Sequence, residues 1–133
     1  MDYNSDFRYD LKEGKLKGET KFHNMLSDSK IEVKFDRKTR ETGNVYIEYK
    51  SRGKDSGIRT TEADYWVYFT HDEECFVIST KRLKEKLGKL KPRTVPGGDN
   101  NSSMGFLVKL EELLKWVNLY TFHHSLQVLW VVH

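Results

Sequence analysis

Residues 30–50 read KIEVKFDRKTRETGNVYIEYK. Two stretches in this segment alternate. Ile31, Val33 and Phe35 fall on one side of an extended chain, and Glu32, Lys34 and Asp36 on the other. Further on, Val45, Ile47 and Tyr49 alternate with Tyr46, Glu48 and Lys50. The polar connection between them ends in Gly43-Asn44, a turn signal. The pattern predicts strands over 30–36 and 45–50, close enough to pair as a hairpin. Its apolar side would face the core and its charged side would converge on one sheet face.

Working outward, residues 1–16 read as irregular or extended. A helix is predicted over 17–26, with Leu16, Phe22, Met25 and Leu26 on its apolar side, and Asp28-Ser29 breaks it. After the second strand, 51–59 is a loop of Gly, Ser and basic residues, and 60–64 has the composition of a capped helical turn. Strands are predicted over 65–70 and 75–80, joined by the acidic turn His71-Asp72-Glu73-Glu74. Leu83 and Leu87 mark a helix over 80–87. Residues 92–103 read as a loop, 106–108 as a short strand, 110–117 as a helix and 126–132 as a last buried strand. Without repeats or a linker, the order predicts one α+β domain over 1–133. It would be sandwich-like, with a mixed central sheet flanked by helices.

Composition narrows the function classes. The 133 residues are 37% hydrophobic and 32% charged, with a mean hydropathy of −0.73. That describes a polar globular chain with one modest core. The N-terminal residues carry no basic and apolar leader pattern, and no apolar run reaches the ~18 residues of a spanning helix, so no membrane association is expected. A single cysteine, Cys75, excludes an internal disulfide framework and fits a reducing compartment. His71, His123, His124 and Cys75 lack zinc-ligand spacing. The net charge of +3 names no partner as a total. Its distribution is more telling. Basic residues cluster at 50–59 and again at 81–93, where Lys81, Arg82, Lys84, Lys86, Lys89, Lys91 and Arg93 could neutralise phosphates.

The charged side of the two central strands holds the candidate chemistry. Mixed charges gathered on a covered sheet face are costly unless a ligand or ion uses them. A hard divalent cation such as Mg²⁺ takes one or two carboxylates plus waters and substrate phosphate. Asp36 and Glu48 could supply those carboxylates, and Lys50 could orient the attacking water. Glu32 is a further candidate metal ligand; Glu19 and Lys34 are further candidate catalytic residues. In the loop that follows, Arg52, Gly53, Lys54, Ser56, Arg59 and Thr61 are candidate nucleic-acid contacts, because glycines admit a close phosphate and the cations attract it. The plain alternative is a set of cross-strand ion pairs on a solvated hairpin face.

Asp36, Glu48 twelve positions later and Lys50 two beyond it resemble the PD-(D/E)XK nuclease superfamily. More narrowly, residues 31–36, 42–48 and 51–58 are similar to small phage and prophage proteins of this nuclease type. So are Thr61-x-Ala63-Asp64-Tyr65-Trp66 and Gly97-Gly98-Asp99-Asn100-Asn101. The resemblance spans roughly 11–114 and is strongest over 31–66. It implies a restriction-endonuclease-like core and a DNA endonuclease dependent on Mg²⁺ or Mn²⁺. The activities it covers include structure-selective cutting in recombination, repair or phage DNA processing. The implied setting is the cytoplasm of a bacterial, archaeal or phage-infected cell. Enzymes of this fold often dimerise to cut two strands, and the apolar C-terminus offers a surface for a homodimer. No proline precedes Asp36, which closes its strand rather than opening it. Asp36 and Glu32 therefore both stand for the second-motif acid, and Lys34 and Lys50 both for the lysine. A chain that keeps this fold without the reaction, as a DNA-binding or host-protein-binding module, is the alternative reading.

Overall fold

A computed structural model of the chain describes residues 3–115. The expected strand at 126–132 and the His123-His124 pair lie outside the described residues. The chain divides into two compact units at the Lys30–Ile31 boundary.

The first unit is a helix, α1 (Tyr3–Ser27). It starts well before the expected position 17, since nothing in the first turns breaks it: the segment has no proline and few β-branched residues. Lys15 and Glu19 pair along its surface at 3.8 Å. Near its end, the Ser27 hydroxyl donates to the His23 carbonyl at 2.8 Å.

The second unit opens with β1 (Ile31–Phe35), α2 (Lys38–Thr42) and β2 (Asn44–Ser51). The short helix α2 replaces the expected hairpin turn. Asp36 Oδ1 accepts from the Lys38 N–H at 3.0 Å and bends the chain out of β1. Gly43 then ends α2 at φ 72°, a left-handed position where glycine carries no Cβ penalty. Next come the two-residue β3 (Lys54–Asp55), a 3₁₀ turn (Gly57–Arg59), β4 (Tyr65–His71) and β5 (Glu74–Ser79). The helical turn expected at 60–64 thus forms earlier, at 57–59. The helix α3 (Thr80–Leu90) is capped by Ser79, whose hydroxyl accepts from the Arg82 N–H at 3.1 Å. The segment read as a loop at 92–103 holds β6 (Thr94–Gly97), followed by β7 (Ser103–Lys109) and α4 (Leu110–Leu114).

The chain is α+β as expected, but its strands lie in two sheets rather than one central sheet. One sheet has the order β1-β4-β5 and the other β3-β2-β7-β6. β1 and β2 do not pair. β1 runs parallel to β4, with Lys34 opposite Tyr68, while β2 is antiparallel to β7. The β4–β5 hairpin forms as its acidic turn predicts.

The core is built on β2, β4, β5 and β7, with α3, α4 and Ile58. Val45 and Ile47 of β2, Trp66 of β4 and Leu83 of α3 are fully buried, joined by Tyr68, Phe76, Val108 and Leu113. Burying side chains of this size stabilises by roughly 1.5–3 kcal/mol each. β1 presents its sides the other way round from expectation. Val33 is 59% exposed and Phe35 48%, whereas Lys34 lies over the buried Trp66 ring at 5.7 Å. Lys86, from the basic run, is 3% exposed, and its ammonium donates to the Glu112 carbonyl at 3.2 Å and to that of Lys115. It therefore ties α3 to the end of α4 rather than joining the solvated cations around it. No helix among the described residues is long and apolar enough to cross a membrane.

Candidate active site

β2 has two different sides. Val45 and Ile47 enter the core; Tyr46 and Glu48 line a cavity of about 470 Å³. Lys34, Phe35 and Asp36 reach the same cavity from the end of β1. Lys38, Thr42 and Asn44 come from the α2 region, Tyr68 from β4, and Val95 to Gly98 from β6 and its end. Two carboxylates and two lysines thus meet in one concave site, although they start from separate sheets.

Each acid is held by a local bond. Asp36 is fixed by the same bond that starts α2, and its own N–H donates to the Phe69 carbonyl at 2.9 Å. Glu48 Oε1 accepts from the Ser56 hydroxyl at 2.8 Å. Lys34 is oriented by Glu32, whose carboxylate lies 2.5 Å from the ammonium. Glu32 is thereby the ion-pair partner of Lys34 and is not a cavity-lining residue.

Tyr46 forms one wall. Its ring lies over Gly97 and Gly105, and its hydroxyl is 2.8 Å from that of Ser103. Tyr68 is 2% exposed, and its hydroxyl finds no hydrogen-bond partner among the described residues. Burial, then the negative charges of Asp36 and Glu32, hold its phenol far above the ordinary tyrosine range, so the proton stays on the oxygen.

Lys50 is placed elsewhere. A bulge interrupts the β2–β7 pairing between Glu48 and Lys50. Before it Glu48 stands opposite Gly105; after it Lys50 stands opposite Met104, the neighbouring residue of β7 and so of the other side. The Glu-x-Lys spacing would place both side chains on one side only in a regular strand, and Lys50 does not line the cavity. Glu19 lies on α1 in the other unit, paired with Lys15.

The loop residues read as nucleic-acid contacts make mostly internal bonds. Arg52 (φ 49°) and Gly53 (φ 78°) form the tight β2–β3 turn, with the Arg52 N–H donating to the Ser102 carbonyl at 2.8 Å. The Arg59 guanidinium donates to Asp55 at 3.1 Å and covers the Tyr49 ring at 4.3 Å. The Thr61 hydroxyl accepts from the Ala63 N–H at 3.1 Å. Lys54 is exposed in β3. None of these lines the cavity.

No group of three or more His, Cys, Asp or Glu side chains gathers among the described residues. Glu32 thus adds no third acid to Asp36 and Glu48. Two hard oxygen donors still fit Mg²⁺ or Mn²⁺, since Mg²⁺ keeps several waters and needs only one or two carboxylates. They do not fit the four-ligand N/S cage of structural zinc. The cavity's aromatic parts, Tyr46 and Tyr68, are what sequence reasoning missed. The Gly97-Gly98 pair, which reads from sequence either as a second substrate loop or as a connector, lines the cavity. No protein-family model, curated protein or solved structure matches this chain.

Proposed function

We propose that the chain is a divalent-metal-dependent nuclease hydrolysing DNA phosphodiester bonds on a core of the PD-(D/E)XK, restriction-endonuclease-like type. One observation carries the reading: Lys34, Asp36 and Glu48 arrive from two separate sheets and line one cavity.

In this reading Asp36 and Glu48 hold Mg²⁺ or Mn²⁺. When bound, the ion supplies charge neutralisation at the phosphate and makes water more acidic. Lys34, steadied by Glu32, faces the attacking water and the developing negative charge; it takes the place that the Glu48-x-Lys50 spacing had offered to Lys50. Tyr68 lines the site and keeps its proton. Gly97 leaves room for the Tyr46 ring, which a Cβ there would meet at 2.6 Å, and so helps set the wall of the cavity.

The test is cleavage of plain, nicked and branched duplexes with Mg²⁺ or Mn²⁺ by wild type, Asp36→Asn, Glu48→Gln, Lys34→Ala and Lys50→Ala. The first three variants should lose about 10²-fold or more in rate, the scale of a positioned proton-transfer or charge-stabilising group. Lys50→Ala should stay close to wild type. Wild-type protein that binds DNA and cuts nothing, or Glu48→Gln that cuts normally, would return the chain to a binding module.

A further inference from the structure

The loop after β3 is moulded on Glu48. Its residue Ser56 bonds the Glu48 carboxylate at 2.8 Å, and its backbone N–H donates to the Tyr49 carbonyl at 3.0 Å. Gly57, at φ 53°, sits directly on the Glu48 peptide: a Cβ there would come 2.1 Å from the Glu48 carbonyl oxygen and 3.2 Å from the Glu48 Cβ. Only glycine allows this approach. The loop meets β2 where the bulge breaks the regular ladder between Glu48 and Lys50. A strand residue beside a bulge lacks the full constraint of cross-strand pairing. Here the missing constraint is supplied by a side-chain bond, a backbone bond and a close glycine contact.

Ser56 is itself fixed. Its backbone is extended (φ −156°, ψ −177°) and its carbonyl accepts from the Arg59 N–H at 3.1 Å. It is absent from the cavity lining, so its hydroxyl reaches Glu48 from outside the cavity and holds Oε1 alone. Residues that hydrogen-bond a ligating carboxylate fix its orientation and tune its metal affinity.

We infer that Ser56 is a positioning residue for Glu48, pre-orienting that carboxylate for a divalent cation, with Gly57 seating the loop that carries it. The inference rests on the nuclease reading and gives the Ser-Gly pair a role other than phosphate contact.

The experiment titrates the full chain with Mn²⁺ alone, read by electron paramagnetic resonance, for wild type, Glu48→Gln, Ser56→Ala and Ser56→Thr. Ser56→Ala keeps both backbone bonds and should lower the unfolding temperature by only a few degrees while binding Mn²⁺ about tenfold more weakly. Ser56→Thr keeps the hydroxyl on an extended backbone that suits a β-branched residue, and should restore affinity. Wild-type affinity in Ser56→Ala, with Glu48→Gln impaired, overturns the positioning role and leaves the metal reading standing. Wild type that binds no Mn²⁺, or Glu48→Gln that binds normally, overturns the metal reading and this role with it.

Discussion

Replacing Gly105 by alanine tests the wall that Tyr46 gives the cavity. An added Cβ would meet three atoms of the Tyr46 ring at 2.4, 2.5 and 2.9 Å, against an ordinary contact that begins near 3.4 Å. The ring must therefore retreat by about 1.0 Å. Gly97 on the neighbouring strand is equally close, with hypothetical contacts at 2.6 to 2.8 Å, so a sideways slide across β6 gives no relief. Retreat breaks the 2.8 Å bond between the Tyr46 and Ser103 hydroxyls. Overpacking of this kind costs about 1–3 kcal/mol and the lost bond about 0.5–1.5, so Gly105→Ala should destabilise by roughly 1.5–4.5 kcal/mol. Gly105 does not have positive φ, so alanine itself is tolerated by the backbone. On a Tyr46→Ala background the same change should cost nothing, or stabilise by up to about 1 kcal/mol through the unfolded state. Urea unfolding of the four proteins in a double-mutant cycle measures the coupling. Effects that add within about 0.5 kcal/mol would refute the contact argument.

Three further tests address other parts of the molecule. Tyr68→Phe removes a buried hydroxyl that has no partner among the described residues and should leave stability unchanged or raise it by about 1 kcal/mol; a clear loss in thermal unfolding would mean the hydroxyl is bonded. Burial, then the neighbouring Arg82, lowers the Lys86 pKa to about 8, with Glu112 opposing. The folded state then sheds that proton before the unfolded state does, so the Lys86 contribution to stability should rise with pH from about 8 towards the ordinary lysine value of 10.5. Lys86→Met should remove this rise, and a wild-type-minus-variant difference that is flat over the window would contradict it. Val33→Thr on the exposed side of β1 should change stability by less than about 0.5 kcal/mol, whereas Ile47→Ala on the core side of β2 should cost about 2–5; equal losses in urea would restore the hairpin reading.

The site works by convergence. Lys34 and Asp36 stand at the end of an edge strand, Glu48 in an inner strand of the other sheet, and Tyr68 in the middle strand between β1 and β5. Part of this was legible in advance. Asp36 and Glu48 were singled out for their chemistry and share the cavity. Lys34, second to Lys50 on spacing, lines it together with Lys38, whereas Lys50 does not. The choice between the two was hidden because a bulge shifts register by one residue and so changes sides, and nothing in Glu48-Tyr49-Lys50 announces one. The seat that Gly57 makes for the Glu48 peptide was hidden for the same kind of reason: it depends on a contact between a loop and a strand.

Alternation along 30–36 and 45–50 fixed two strands and told which residues travel together, because side chains in extended chain alternate by geometry. The acidic turn likewise fixed the β4–β5 hairpin. Alternation does not say which side of a strand faces the core, nor which strand lies alongside. For β1 the apolar side is the exposed one and its partner is β4, reached only after β2, β3 and the 3₁₀ turn. Those choices follow from the burial of the whole unit. The deep core takes Val45, Ile47, Trp66 and Leu83, and α2, entered through the Asp36–Lys38 bond and ended by Gly43, carries the chain from one sheet to the other. The sequence by itself determined the strands and the acids; the tertiary structure decided that Asp36 and Glu48 share a cavity with Lys34, because only the packing of two sheets brings their ends together.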